Sequence, residues 1–157
     1  MQSLELKIPP PAVAALTASA MWAISLLAPL VGAWALAPAG ARVSAAVVIA
    51  LIGGSFDLAG VIAFRRAKTT VNPMKPEKTV SLVCSGVYRL TRNPMYLGLV
   101  FILVAWAVYL ASAWALLGLP AFVLYITRFQ IRPEERALSA RFGSHYADYT
   151  SRVRRWL

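Results

Sequence analysis

The sequence holds one cysteine, Cys84, and one histidine, His145, among 157 residues. A lone cysteine rules out an internal disulfide, and with one imidazole beside it no zinc or other Cys/His metal cluster is expected. Acids are scarce as well: six Asp and Glu stand against sixteen Lys and Arg, a formal charge of +10. Charged residues make up only 14% of the chain and hydrophobic ones 59%, a balance that does not suit a soluble domain. No Gly-x-Gly-x-x-Gly stretch is present, so a Rossmann-type nucleotide fold is not expected. No RNA- or DNA-binding signature interleaves the basic residues. The positive balance therefore points to an anionic membrane surface, with no nucleic-acid partner.

What the chain has instead is long apolar runs. Residues 12–36 form a run about twice as long as a signal-peptide core, read as a retained span with Pro29 as a kink. Pro9-Pro10-Pro11 before it reads as an extended stop. A tight turn over 37–42 leads to a second span, 44–64. Ala46, Ala50 and Gly54 lie four apart on it, a small-residue stripe suited to close helix packing. Asp57 sits inside that span, either as a functional acid or as a structural partner for an arginine or a backbone N–H. Residues 65–94 form a polar loop long enough to suggest a role of its own.

Between Arg92 and Arg128 there is no charge. That run is too long for one crossing and predicts a helical hairpin turning near Ala111-Ser112, with spans at about 95–110 and 113–131. A single cytoplasmic amphipathic helix is predicted over 134–150, with Leu138, Phe142, Tyr146 and Tyr149 on one stripe. The tail Arg152-Val-Arg-Arg-Trp156 reads as an interfacial anchor. The expected fold is all-α: one polytopic membrane domain, 1–157, with about four transmembrane helices and a C-terminal amphipathic helix. Every lysine and arginine except Arg42 falls on the side of the termini and the 65–94 loop. That side is assigned to the cytoplasm, in a bacterial inner membrane.

The most pointed stretch is Ser85-Gly-Val-Tyr-Arg-Leu-Thr-Arg-Asn-Pro-Met-Tyr-Leu-Gly98. Arg89 and Arg92 belong at a membrane edge or in a lined cavity. Pro94 suits a first helical turn, with Asn93 as a candidate cap. Tyr96 falls at the interface, and Gly98 permits close backbone approach. Because the hairpin returns the chain to the same face, this turn and the Glu134–Tyr149 helix are expected to be neighbours. A pocket between them would suit one polar cofactor from the cytosol and one lipophilic substrate from the bilayer.

The segment from Gly86 to Gly98, the apolar hairpin, and then Glu134-Glu-Arg-Ala-Leu with Phe142-Gly and Tyr146-Ala-Asp-Tyr149 resemble the isoprenylcysteine carboxyl methyltransferase family. That family in turn resembles membrane phospholipid N-methyltransferases. The match covers about the C-terminal half continuously, and Thr70-Val-Asn-Pro-Met-Lys-Pro76 is similar to bacterial members. The resemblance implies S-adenosyl-L-methionine as methyl donor. It implies cofactor binding by Arg89, Tyr96, Gly98, Glu134, Glu135, Tyr146 and Tyr149, and catalytic roles for Arg92, Asn93 and Glu135. An acid would take the amino group or ribose hydroxyls, Arg89 or Arg92 the carboxylate, and a tyrosine the adenine or sulfonium. Many members carry histidine where this chain has Asn93, which cannot titrate near neutrality, so a proton-carrying role is lost there while binding or capping survives.

The implied acceptor is a lipophilic small molecule or lipidated substrate reached from the bilayer; no obligate protein partner is expected. Its reacting group stays open, since a carboxylate needs no general base whereas an amine or thiol must first lose a proton. Tyr146 and Tyr149 as core aromatics, and Glu134 as a helix-start acid, are the plain alternatives. Other functional classes also stand: a small four-helix transporter, or a non-catalytic scaffold whose cytoplasmic helix docks a partner.

Overall fold

The computed structural model describes residues 5–27, 33–68 and 81–157. Pro29, and the stretch from Thr70 to Pro76, lie outside them. Helices are the regular structure of the described residues, which contain no strands. Helix α1 runs Pro10–Leu27, and a 3-10 turn follows at Ala33–Leu36. Of the prolines expected to be extended, Pro10 and Pro11 instead form the first turn of α1, where a missing N–H costs nothing, and Pro9 precedes it. Pro9 O accepts from the N–H groups of Ala12 and Val13 at 2.9 and 3.2 Å. Helix α2 runs Ala39–Arg66, so Arg42 lies within its first turns and not in a loop.

After a 3-10 turn at Gly86–Arg89, helix α3 runs Pro94–Leu110 with Pro94 in its first turn. Ala111, with φ +53°, closes it in a left-handed conformation. The hairpin thus turns where the uncharged run predicted. The return limb is one continuous rod from Trp114 to Phe142. It comprises a 3-10 turn (Trp114–Leu117), α4 (Gly118–Ile126), a π-helical turn (Thr127–Ile131) and α5 (Arg132–Phe142). The single helix predicted over 134–150 is thus divided. Its first half continues the fourth span, and its second half is a separate helix, α6 (Ser144–Arg152). Gly143, at φ +50° and ψ −122°, makes the break.

Three of these helical stretches are long and apolar enough to cross a bilayer: α1, α2 and the Trp114–Phe142 rod. Helix α3 is shorter, 17 residues. At about 1.5 Å per residue the 29-residue rod is roughly 43 Å long, against about 30 Å of hydrocarbon. Its last third therefore projects beyond the apolar layer, and Glu134 and Glu135 lie at the exit.

Helix α3 is the centre of the bundle. Tyr96, Leu103 and Ala107 join Val13 and Met21 of α1 and Phe122 and Ile126 of α4 in one buried cluster. Trp106 Nε1 donates to Ala18 O of α1 at 3.0 Å. On the other side α2 crosses α3 backbone to backbone. A Cβ at Gly53 would lie 2.7 Å from Gly98 O, and one at Gly98 would lie 2.7 Å from Gly53 O and strike the Asp57 carboxylate. Phe56 stacks on Phe101 beside this crossing, ring centroids 5.7 Å apart. The packed small residues of α2 are therefore Ala46, Gly53, Gly60 and Ala63. The predicted stripe shares only Ala46 with them, and Gly54 is exposed with open space around it. Helix α2 is apolar all round, so its sequence does not distinguish a face turned to lipid from one turned to α3.

Candidate functional site

The polar residues gather at one end of the bundle, where α3 begins, α4 gives way to α5, and the first and last described residues arrive. Pro94 starts α3 directly after the arginine turn, so Tyr96 enters the bundle in the first turn and is buried. The Tyr96 hydroxyl donates to Glu134 Oε1 at 2.5 Å. Gln130 Nε2 donates to the same oxygen at 2.9 Å. Both bonds fall on Oε1, which leaves Oε2 as the uncommitted oxygen. Gln130 stands four residues before Glu134, on the π-helical turn. That turn adds a residue to the helical repeat and re-aims the side chains of α5 beyond it, a feature frequent at functional sites.

Glu135 faces the arginine turn. Arg92 Nη1 lies 3.3 Å from Oε1. Arg155 makes a two-pronged bond, Nε to Oε1 at 2.9 Å and Nη2 to Oε2 at 2.7 Å. Arg92 Nε is buried with no hydrogen-bond partner. A buried N–H left unmade costs about 1–3 kcal/mol, and a ligand oxygen would remove that cost.

The tail sews this arrangement together. Arg92 N–H donates to Arg154 O at 2.9 Å. Thr91 Oγ1 and Asn93 Nδ2 donate to Arg155 O at 3.1 and 2.9 Å. Trp156 packs against the main core. The C-terminal residues thus fold back over the arginine turn, while Arg152 and Arg154 of the expected interfacial anchor stay exposed. Asn93 is likewise not a side-chain cap: its amide is spent on the tail, and only its carbonyl joins α3, accepting from Leu97 N–H at 3.0 Å.

Helix α6 covers the cluster. Tyr146 and Tyr149 are its buried residues. The Tyr149 hydroxyl donates to Tyr88 O at 2.7 Å, tying α6 to the 3-10 turn. Burial raises the Tyr146 phenol to about 12, the Glu135 charge adding to the shift and Arg92 opposing it. Burial likewise raises Tyr149. Both phenols are neutral donors at physiological pH. On the outer side of Tyr149 lies a cavity of about 610 Å³, walled by Cys84, Arg89, His145, Asp148 and Arg152. Burial raises the Cys84 thiol, with Arg152 partly opposing it.

The nine residues singled out by motif and resemblance therefore divide. Arg92, Asn93, Tyr96, Glu134, Glu135 and Tyr146 form the inner cluster, while Arg89 and Tyr149 face the outer cavity. Gly98 is packed into the α2 crossing beside Asp57. Sequence reasoning missed Arg155, Gln130 and the acid at the far end of the chain, Glu5. Glu5 bridges Arg128 at 2.9 Å and Arg136 at 2.5 Å. The neighbouring Leu6 N–H donates to Phe129 O at 3.1 Å. His145 and Cys84 are both exposed and stand on the cavity wall.

Comparison with known proteins agrees with the motif. A protein of Haemophilus influenzae, itself described only as uncharacterized, is 48% identical over 63 residues, 40% of this chain and the whole of that protein. No solved structure matches. The phospholipid methyltransferase family matches residues 41–145, which takes in α2, the arginine turn, the hairpin and the two glutamates. With a match over well more than half of its length, the chain belongs to the phospholipid methyltransferase family of integral membrane methyltransferases.

Proposed function

We propose that the protein uses S-adenosyl-L-methionine to methylate a lipophilic acceptor at the cytoplasmic face of the membrane. The observation that carries this reading is a guanidinium and a carboxyl group, each with one uncommitted edge: Arg92 Nε, on the turn that Glu135 binds, and Oε2 of Glu134, the residue next to Glu135 on α5. The amino-acid end of the cofactor carries a carboxylate and an ammonium, which such a pair complements. Tyr146 offers a ring beside it, suited to an adenine or a sulfonium. When bound, the cofactor supplies an electrophilic methyl group on sulfur.

The protein's own part is alignment and exclusion of water. Glu134 is held by Tyr96 and Gln130, Arg92 by Glu135 and the tail, and α6 closes over both. On the bilayer side an apolar groove of about 680 Å³ begins at Pro11, Ala50 and Leu99 and runs along α3 to Trp106 and Tyr109. Leu99 is one helical turn from Tyr96, so a hydrocarbon chain in the groove would bring its head group toward the cluster. This supports a lipid-like acceptor. The transporter reading draws no such support, since Asp57 lies packed against Gly98.

The test is calorimetric titration of the purified protein with S-adenosylhomocysteine, followed by transfer of labelled methyl groups into a membrane lipid extract. The expected result is saturable binding, weakened by about tenfold or more in Arg92→Ala, the loss of one charge-assisted contact. Absence of binding by folded wild-type protein would overturn the reading and favour a scaffold.

A further inference from the structure

Arg155 is joined to the cluster twice, by its side chain to Glu135 and by its carbonyl to Thr91 and Asn93. Glu135 is the shared partner of two guanidiniums that it does not serve equally. Arg155 takes both oxygens at 2.9 and 2.7 Å, while Arg92 touches one of them at 3.3 Å. The trio carries a surplus positive charge, and that surplus rests on the less committed arginine. Arg92 is also the one with an unpartnered buried N–H.

We propose that Arg155 is a positioning residue: by saturating Glu135 it keeps Arg92 available to a ligand carboxylate. Removing the Arg155 guanidinium turns Glu135 wholly toward Arg92, and the two then form the bidentate pair that arginine and carboxylate favour. The site loses its surplus charge without losing Arg92. This rests on the cofactor reading above, with the carboxylate that of the cofactor's amino-acid end. Glu135 is then an internal counter-ion, and the ammonium falls to Glu134.

The experiment compares Arg155→Gln with wild type for two probes, S-adenosylhomocysteine and 5′-methylthioadenosine, which keeps the adenosine and sulfur but has no amino-acid end. Arg155→Gln keeps every backbone carbonyl that ties down the arginine turn. The expected result is a loss of about tenfold in affinity for S-adenosylhomocysteine, with 5′-methylthioadenosine changed by less than about twofold. In a Glu135→Gln background the Arg155 substitution should add less than about twofold, since residues acting through one another are not additive.

Unchanged S-adenosylhomocysteine affinity overturns the proposal and leaves the acceptor as the source of any carboxylate. Equal loss of both probes also overturns it, because a merely structural role would produce that pattern. If Arg155→Gln does not fold, Arg155→Lys replaces it. That variant keeps the charge and loses the fork, and a selective loss of about threefold is expected; an equal loss, or none, counts against the proposal. Wild-type protein that binds neither probe would instead sink the cofactor reading itself.

Discussion

Glu5 accepts from Arg128, and that bond with the Arg136 charge holds its carboxyl below the usual range, against a smaller opposing effect of burial. A carboxylate with a lowered pKa in the folded state favours folding above its ordinary value. The contribution disappears as pH falls through the lowered one. Protection of the Leu6 amide, corrected for the intrinsic exchange rate, should therefore hold at neutral pH and drop as the solution is acidified below about 4. In Glu5→Gln the protection should be low and flat with pH; a wild-type profile in that variant would refute the link. Neither Glu5 nor Arg155 was legible as a participant. Glu5 meets Arg128 across 123 positions and Arg155 meets Glu135 across 20, and such pairings leave no local spacing signal. The motif residues were legible because the turn imposes its own order: a break at Pro94, then a tyrosine in the first turn.

At the level of elements, the hairpin was readable from one quantity, the length of the uncharged run, because hydrocarbon thickness sets a limit on each crossing. The division between α5 and α6 was not. Gly143 reads in sequence as a weak point in one amphipathic helix, since Leu138, Phe142, Tyr146 and Tyr149 keep a helical period across it. Only its conformation, φ +50° and ψ −122°, shows that the chain changes direction there. A side chain at that position is strained whatever the space around it. Gly143→Ala should cost about 1–3 kcal/mol by thermal unfolding and should weaken S-adenosylhomocysteine binding, because α6 carries Tyr146 and Tyr149. An unaffected melting temperature would mean that the break can relax. The π-helical turn was equally silent in sequence, as no residue type in Thr127–Ile131 demands it.

For the whole molecule, the basic residues predict that the site end faces the cytoplasm. The one native cysteine makes a reporter, since Cys84 is exposed and stands beside the site. A membrane-impermeant maleimide should label it in inverted vesicles and not in intact spheroplasts. Because burial raises the thiol's pKa, labelling should be slow near neutrality and speed up as pH rises. Labelling from the outer face alone would invert the assigned orientation.

Most of the bundle's surface is forgiving: Leu16, Leu51, Leu58 and Leu124 are exposed, and any apolar replacement there keeps the contact with lipid. The crossing of α2 and α3 is different in kind. When two bulky side chains meet, a gain on one can be answered by a loss on the other, and lineages drift through such paired changes. Gly53 and Gly98 already sit at the smallest residue the genetic code offers, each against the other's carbonyl. Neither has anything left to give up, so this contact has no compensating neighbour sequence, and descent can keep it or lose the crossing.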